Sequence, residues 1–154
     1  MVKILFAIFF SFIFNSYSDE LSLTRYKGNF CYDGDTCYAI LENVPEKLKF
    51  VRIRIRGIDT PEIKGKCDNE KALAIEAKNF INKLISESHS IKLRNLEWGK
   101  YGGRIVADLY VDNTDYLVYL KGKPFYTLYS GGKKNKELVQ LIFNSSINIL
   151  TIKK

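Results

Sequence analysis

Histidine is nearly missing from the chain: His89 is the only one in 154 residues. It lies near the end of a helical stretch and reads as a helix-end residue. With no CxxC pair and no HxxxH spacing, a zinc site built on nitrogen and sulfur has little support. Internal repeats and low-complexity segments are absent after the N-terminal stretch, leaving a one-domain length that can bury a real core. Acidic residues are the minority, 17 against 24 lysines and arginines, for a net charge of +7. A basic domain fits a polyanionic partner, nucleic acid or an anionic membrane surface, although many soluble proteins are merely cationic.

Long hydrophobic runs are also lacking. The apolar stretch within MVKILFAIFFSFIFNSYS runs from Ile4 to Phe14 with one serine, short of the ~20 residues a bilayer-spanning helix needs. Lys3 before it, and Ser16 and Ser18 just ahead of Asp19, complete the layout of a secretory signal peptide. The expectation is cleavage of residues 1–18, with an uncleaved anchor as the alternative. Residues 19–154 would then form a single exported domain, periplasmic or secreted, with no stable membrane association. Cleavage removes one lysine and no acid, so the mature protein stays basic.

Cysteines number three: Cys31, Cys37 and Cys67. Export permits a disulfide, and the odd count leaves at least one thiol unless two molecules pair. Cys31 and Cys37 flank DGD and would face each other if that is a three-residue hairpin loop. A strand cysteine is as readily a small buried apolar group.

Alternating runs predict five strands, at 25–32, 36–41, 48–58, 90–96 and 104–112. Between the third and fourth, Leu73, Ala77, Phe80, Ile81 and Leu84 recur at helical spacing, with Asp68 or Asn69 available as N-cap. A shorter helix is expected over 115–121, stopped by Gly122. This is the element list of an α+β fold: a five-stranded OB-fold β-barrel with one main amphipathic helix and a shorter C-terminal helix. Barrels of this kind bind oligonucleotides on one face. Residues 135–154 read as a helix with a strand-like end, or as poorly ordered.

The chemistry concentrates in VRIRIRGIDTPE. If the isoleucines pack inward, Arg52, Arg54 and Arg56 share the opposite face. Such a row is usually a solvated face, and arginines beside carboxylates usually form a surface network. Here Asp59 and Glu62 follow at once, and the DGDT hairpin adds Asp33 and Asp35. Carboxylates can hold a hard cation while arginines hold a phosphate. Oxygen ligands suit calcium or magnesium, and export favours calcium. A third segment, WGKYGGRIVADLYV, joins backbone-freeing glycines to Lys100, Tyr101 and Arg104; alone it would be an ordinary glycine-rich loop.

Together DGDT at 33–36, RIRGIDTPE at 54–62 and KYGGR at 100–104 resemble, in order and spacing, the signature segments of the staphylococcal nuclease (thermonuclease-like) family, over roughly residues 25–134. The resemblance implies an OB-fold, calcium-dependent phosphodiesterase that cuts DNA and RNA with low base specificity, here as a monomer. Carried over by motif, Asp35 and Asp59 are calcium ligands, with Thr60 adding its carbonyl. Glu62 activates or positions the attacking water, a cation-activated water being the alternative base. Arg54 and Arg104 grip the phosphate, and Lys100, Tyr101 and Tyr129 contact the nucleotide. Arg52 and Arg56 carry no such role and read as solvated or as general phosphate attraction. KYGGR has one glycine more than the shortest family form, and Thr127 stands where a second tyrosine is expected. The rival reading is a catalytically inactive OB module that binds single-stranded nucleic acid.

Overall fold

The computed structural model describes residues 21–22, 30–40, 45, 50–100 and 103–132. The N-terminal apolar segment, most of the first expected strand and the tail beyond residue 132 lie outside them.

The strands follow the sequence alternation. β1 is Leu21–Ser22, β2 Thr36–Ile40 and β3 Phe50–Ile55. In β3 the residues Val51, Ile53 and Ile55 are buried, while Arg52 is exposed and Arg54 half-buried, the period-two pattern of a strand with one face on a core. β4 (Ile58–Asp59), β5 (Ile91–Trp98), β6 (Arg104–Val111), β7 (Thr114–Asp115) and β8 (Thr127–Leu128) complete the set. The main sheet runs β1-β5-β6-β3-β2, with β7 added to β6, and β4 pairs β8 in a separate ladder. β3 and β6 are parallel and the other ladders antiparallel, so the fold is α+β with a mixed sheet.

Two expectations need correction. Among the described residues the sheet is open, with β1 and β2 at its edges, and is not closed into a five-stranded barrel. The expected third strand also splits: Arg56 and Gly57 form a turn in which Gly57 takes a φ of +83°, a left-handed value that glycine adopts without strain. Ile58 and Asp59 thereby leave the main sheet and pair with Leu128 and Thr127.

Helix α1 spans Asp68–Glu87 and α2 Tyr116–Leu120. The N-cap of α1 is Cys67, with no side-chain cap, instead of Asp68 or Asn69; Asp68 and Glu70 occupy the first turn, where the helix dipole favours negative charge. Leu73, Ala77 and Ile81 of the expected face are buried, and Phe80 and Leu84 pack at its margin. They meet Ile53, Ile55, Leu93, Ala107, Leu109 and Phe125 in one core. Asp115 caps α2 by accepting from the Leu117 amide at 2.8 Å, and Gly122, at a φ of +76°, follows its end.

Arg56 is neither solvated nor spare. Its guanidinium reaches Asp108 at 3.3 Å, Glu97 at 3.2 Å and the Asn95 carbonyl at 2.7 Å. There β5 carries a bulge, with the register shifting between Arg94 and Glu97 and Asn95 at a φ of +54°. Arg56 thus ties β3 across β6 to the irregular part of β5.

Candidate active site

The segment between the cysteines is pinned on several sides. Cys31 and Cys37 form a disulfide, leaving Cys67 as the exposed free thiol among the described residues. Asn82 of α1 accepts from the Cys31 amide at 2.9 Å and donates to its carbonyl at 3.0 Å. Gly34 lies so close to its neighbours that an added Cβ would stand 2.7 Å from the Ala77 Cβ and 2.8 Å from the Thr60 Cγ2. Only glycine lets this hairpin press against both helix and turn.

That approach delivers Asp35 to Thr60. One oxygen of Asp35, Oδ2, accepts from the Thr60 amide at 2.9 Å and the Thr60 hydroxyl at 3.0 Å, while Oδ1 accepts from the Thr36 hydroxyl at 3.0 Å. Thr60, expected to contribute a carbonyl, positions Asp35 through its amide and hydroxyl, beside the close packing at Gly34.

Arg54, in register with Thr36, reaches the same acids. Its Nη1 lies 2.8 Å from Asp35 Oδ2, and its Nη2 lies 3.2 Å from Asp59 Oδ1. The turn at Gly57 sends the chain back so that Asp59 meets the guanidinium five residues upstream. The β4–β8 ladder then brings Tyr129 along, with its amide on the Gly57 carbonyl at 2.9 Å and its ring 5.9 Å from the Arg54 guanidinium carbon.

These groups open onto a pocket of about 400 Å³, whose walls include Asp33, Asp35, Asp59, Glu62, Arg54 and Arg104. Glu62 is exposed at its rim. The structure therefore unites five of the predicted side chains, with Thr60 behind Asp35 and Tyr129 beside Arg54. Lys100 is exposed in the bend after β5 and does not line this pocket; Tyr101 lies outside the described residues.

Asp33 is the titratable group that the sequence reading left without a role. Burial, then the negative charges of Asp35 and Glu62, push its carboxyl up to about 7, against hydrogen bonds from the Asp35 amide and the Thr36 side chain that favour its ionised form. Asp33 is thus the acid of this pocket whose burial and acidic neighbours favour its protonated form. All the pocket's acidic donors are hard oxygens, the chemistry of calcium or magnesium ligation. Among the described residues no group of three or more His, Cys, Asp or Glu side chains stands at ligand spacing. A cation here would draw on two carboxylates, a backbone carbonyl and water.

No curated protein matches the chain. The model of the family described as staphylococcal nuclease homologue matches residues 52–141, which contain Arg52 to Ile55 of β3, the segment from Asp59 to Glu62, α1 and Arg104. With more than half of its length matched, the chain belongs to the staphylococcal nuclease homologue family.

Proposed function

We propose that the chain is a calcium-dependent nuclease that hydrolyses phosphodiester bonds of DNA and RNA with little base specificity. The observation that carries this reading is the sharing of one pocket by arginines and acids. Arg54 and Arg104 suit an anionic phosphate, yet Asp33, Asp35, Asp59 and Glu62 line the same walls. A module that only bound a polyanion would gain nothing from four carboxylates at its phosphate contact, since like charges repel. Hydrolysis gives them work.

Asp35 and Asp59, with the Thr60 carbonyl, would hold the cation, for which the all-oxygen donor set is suited. When bound, calcium supplies positive charge against the phosphate's negative charge and so lowers its resistance to attack. Thr60 fixes the orientation of Asp35 through its amide and hydroxyl. The planar fork of Arg54 is aligned by two carboxylates, and two arginines stabilise a phosphorus centre whose charge spreads as it becomes five-coordinate. Glu62, exposed and on the pocket wall, takes or orients the proton of the attacking water. Tyr129 offers a ring beside Arg54 for the nucleotide. Export by the N-terminal apolar segment and a monomeric state complete the reading.

The test is incubation of the protein with plasmid DNA and with RNA, with calcium and with a calcium chelator. Cleavage of both in calcium only is expected. Binding without cleavage would favour the inactive OB module, and full cleavage in chelator would reject the cation assignment.

A further inference from the structure

Arg54 divides two cavities. One is the acidic pocket; the other, about 570 Å³, lies on the Tyr129 side and is lined by Ile55, Gly57 and Val106. Neither the acids nor Tyr129 account for the far end of the acidic pocket. There the β2–β3 ladder places Tyr38 opposite Arg52, two rungs beyond the pair Thr36 and Arg54 and on the same face. Both Tyr38 and Arg52 line the pocket, as do Tyr32 and Lys64.

Arg52 is also the register partner of Arg104 on parallel β6. Two guanidinium residues on one rung repel each other unless an anion lies between or beside them. Among the described residues Arg52 has no ion-pair partner. Residues two apart on a strand are spaced about 7 Å, of the order of the spacing between successive phosphates in an extended single strand.

We propose that Tyr38 and Arg52 form a nucleotide subsite on the side of Arg54 away from Tyr129. It takes one base against the Tyr38 ring and the next phosphate on Arg52. This rests on the reading of the acidic pocket as a phosphodiester site. A flexible single strand then crosses Arg54 with a stacking ring on each side, Tyr38 on one and Tyr129 on the other. The ring faces are indifferent to base identity, because every base presents a π surface.

Binding is measured in calcium by fluorescence anisotropy, using labelled phosphorothioate oligothymidylates of two and eight nucleotides, which resist cleavage. The eight-mer should bind the wild type more tightly than the dimer. Tyr38→Ala should weaken the eight-mer about tenfold, with Tyr38→Phe restoring it because the ring face is kept. Arg52→Ala, at an exposed position, should weaken the eight-mer and lower the slope of log affinity against log salt by about 1. Unchanged eight-mer affinity in Arg52→Ala and Tyr38→Ala overturns the subsite, as does a Tyr38→Phe protein as weak as Tyr38→Ala. Cleavage of ordinary oligothymidylate by the wild type is followed separately. Binding that obeys the length and salt pattern without any hydrolysis rejects the nuclease reading and leaves the subsite standing.

Discussion

Nη1 of Arg54 stands 2.8 Å from Oδ2 of Asp35, the oxygen that also receives the amide and hydroxyl of Thr60. The guanidinium is thus set by the same carboxylate that the DGDT hairpin delivers, and Asp59 holds its other nitrogen. Orientation of the arginine and placement of the acid are one arrangement.

Arg54→Lys therefore removes more than bidentate phosphate contact. A lysine keeps the charge but spans only one of the two aspartates. Turnover on oligonucleotide should fall ~10²–10³-fold, the scale for losing an oriented transition-state donor. Steady-state kinetics should show the loss mainly in kcat; an equal loss in affinity with kcat intact would assign Arg54 to binding alone.

Glu62→Gln preserves size and hydrogen-bonding shape while removing the basic oxygen. The chemical step should slow ~10²–10⁴-fold, while a nucleotide analogue still binds in calcium. Near-normal single-turnover rates would reject Glu62 as the group that handles the water's proton.

The raised carboxyl of Asp33 predicts an unusual pH dependence without calcium. Its value in the folded protein is about 7 against 3.8 for an ordinary aspartate, so the folded state binds the extra proton between those limits. Stability from this group is full below about 4 and is lost as pH rises through 7. Asp33→Asn keeps Oδ1 for the Asp35 and Thr36 amides and should remove that loss. Thermal melts in chelator should show the variant's advantage growing from pH 4 to 7 and then levelling. A constant difference across that window would mean that Asp33 does not titrate there.

Gly34→Ala places a methyl against the Ala77 Cβ and the Thr60 side chain. Overpacking of this kind costs about 1–3 kcal/mol, and the displaced hairpin should carry Asp35 away from Thr60. Urea unfolding and turnover should fall together. Lost stability with full activity would show that the hairpin relaxes without moving Asp35.

Removing the bridge by Cys31→Ala with Cys37→Ala should cost about 2–4 kcal/mol. Because the DGD segment lies between the cysteines, the calcium concentration needed for half-maximal activity should also rise. Melting and calcium titration check the two effects separately.

Much of the site was legible because its motifs lie in short continuous segments and β3 announces by alternation that Arg52 and Arg54 share the face away from the core. α1 was legible through its apolar spacing. What stayed hidden depends on partners far along the chain. Asn82 reads as an ordinary helix polar residue until its amide meets Cys31. Arg56 reads as solvated because Asp108, Glu97 and the Asn95 carbonyl come from other strands. β4 and β8 have two residues each, too few for any period, and exist through their mutual pairing. The open sheet could not be told from a barrel because a strand list does not say whether the edge strands meet.

The parallel pairing of β3 with β6 bears on the order in which the protein acquires its chemistry. Asp35 meets Arg54 through the β2–β3 pairing, a contact of modest sequence separation, whereas Asp59 sits on β4, which pairs with the much later β8. Arg104 joins Arg52 only after all of α1 and β5 have been made and the intervening loop has closed, an entropic cost that local contacts do not share. A chain emerging during synthesis can therefore pair Asp35 with Arg54 before Arg104 is in place. On the nuclease reading proposed above, the growing polypeptide would then be incompetent to cut nucleic acid until its later strands have folded.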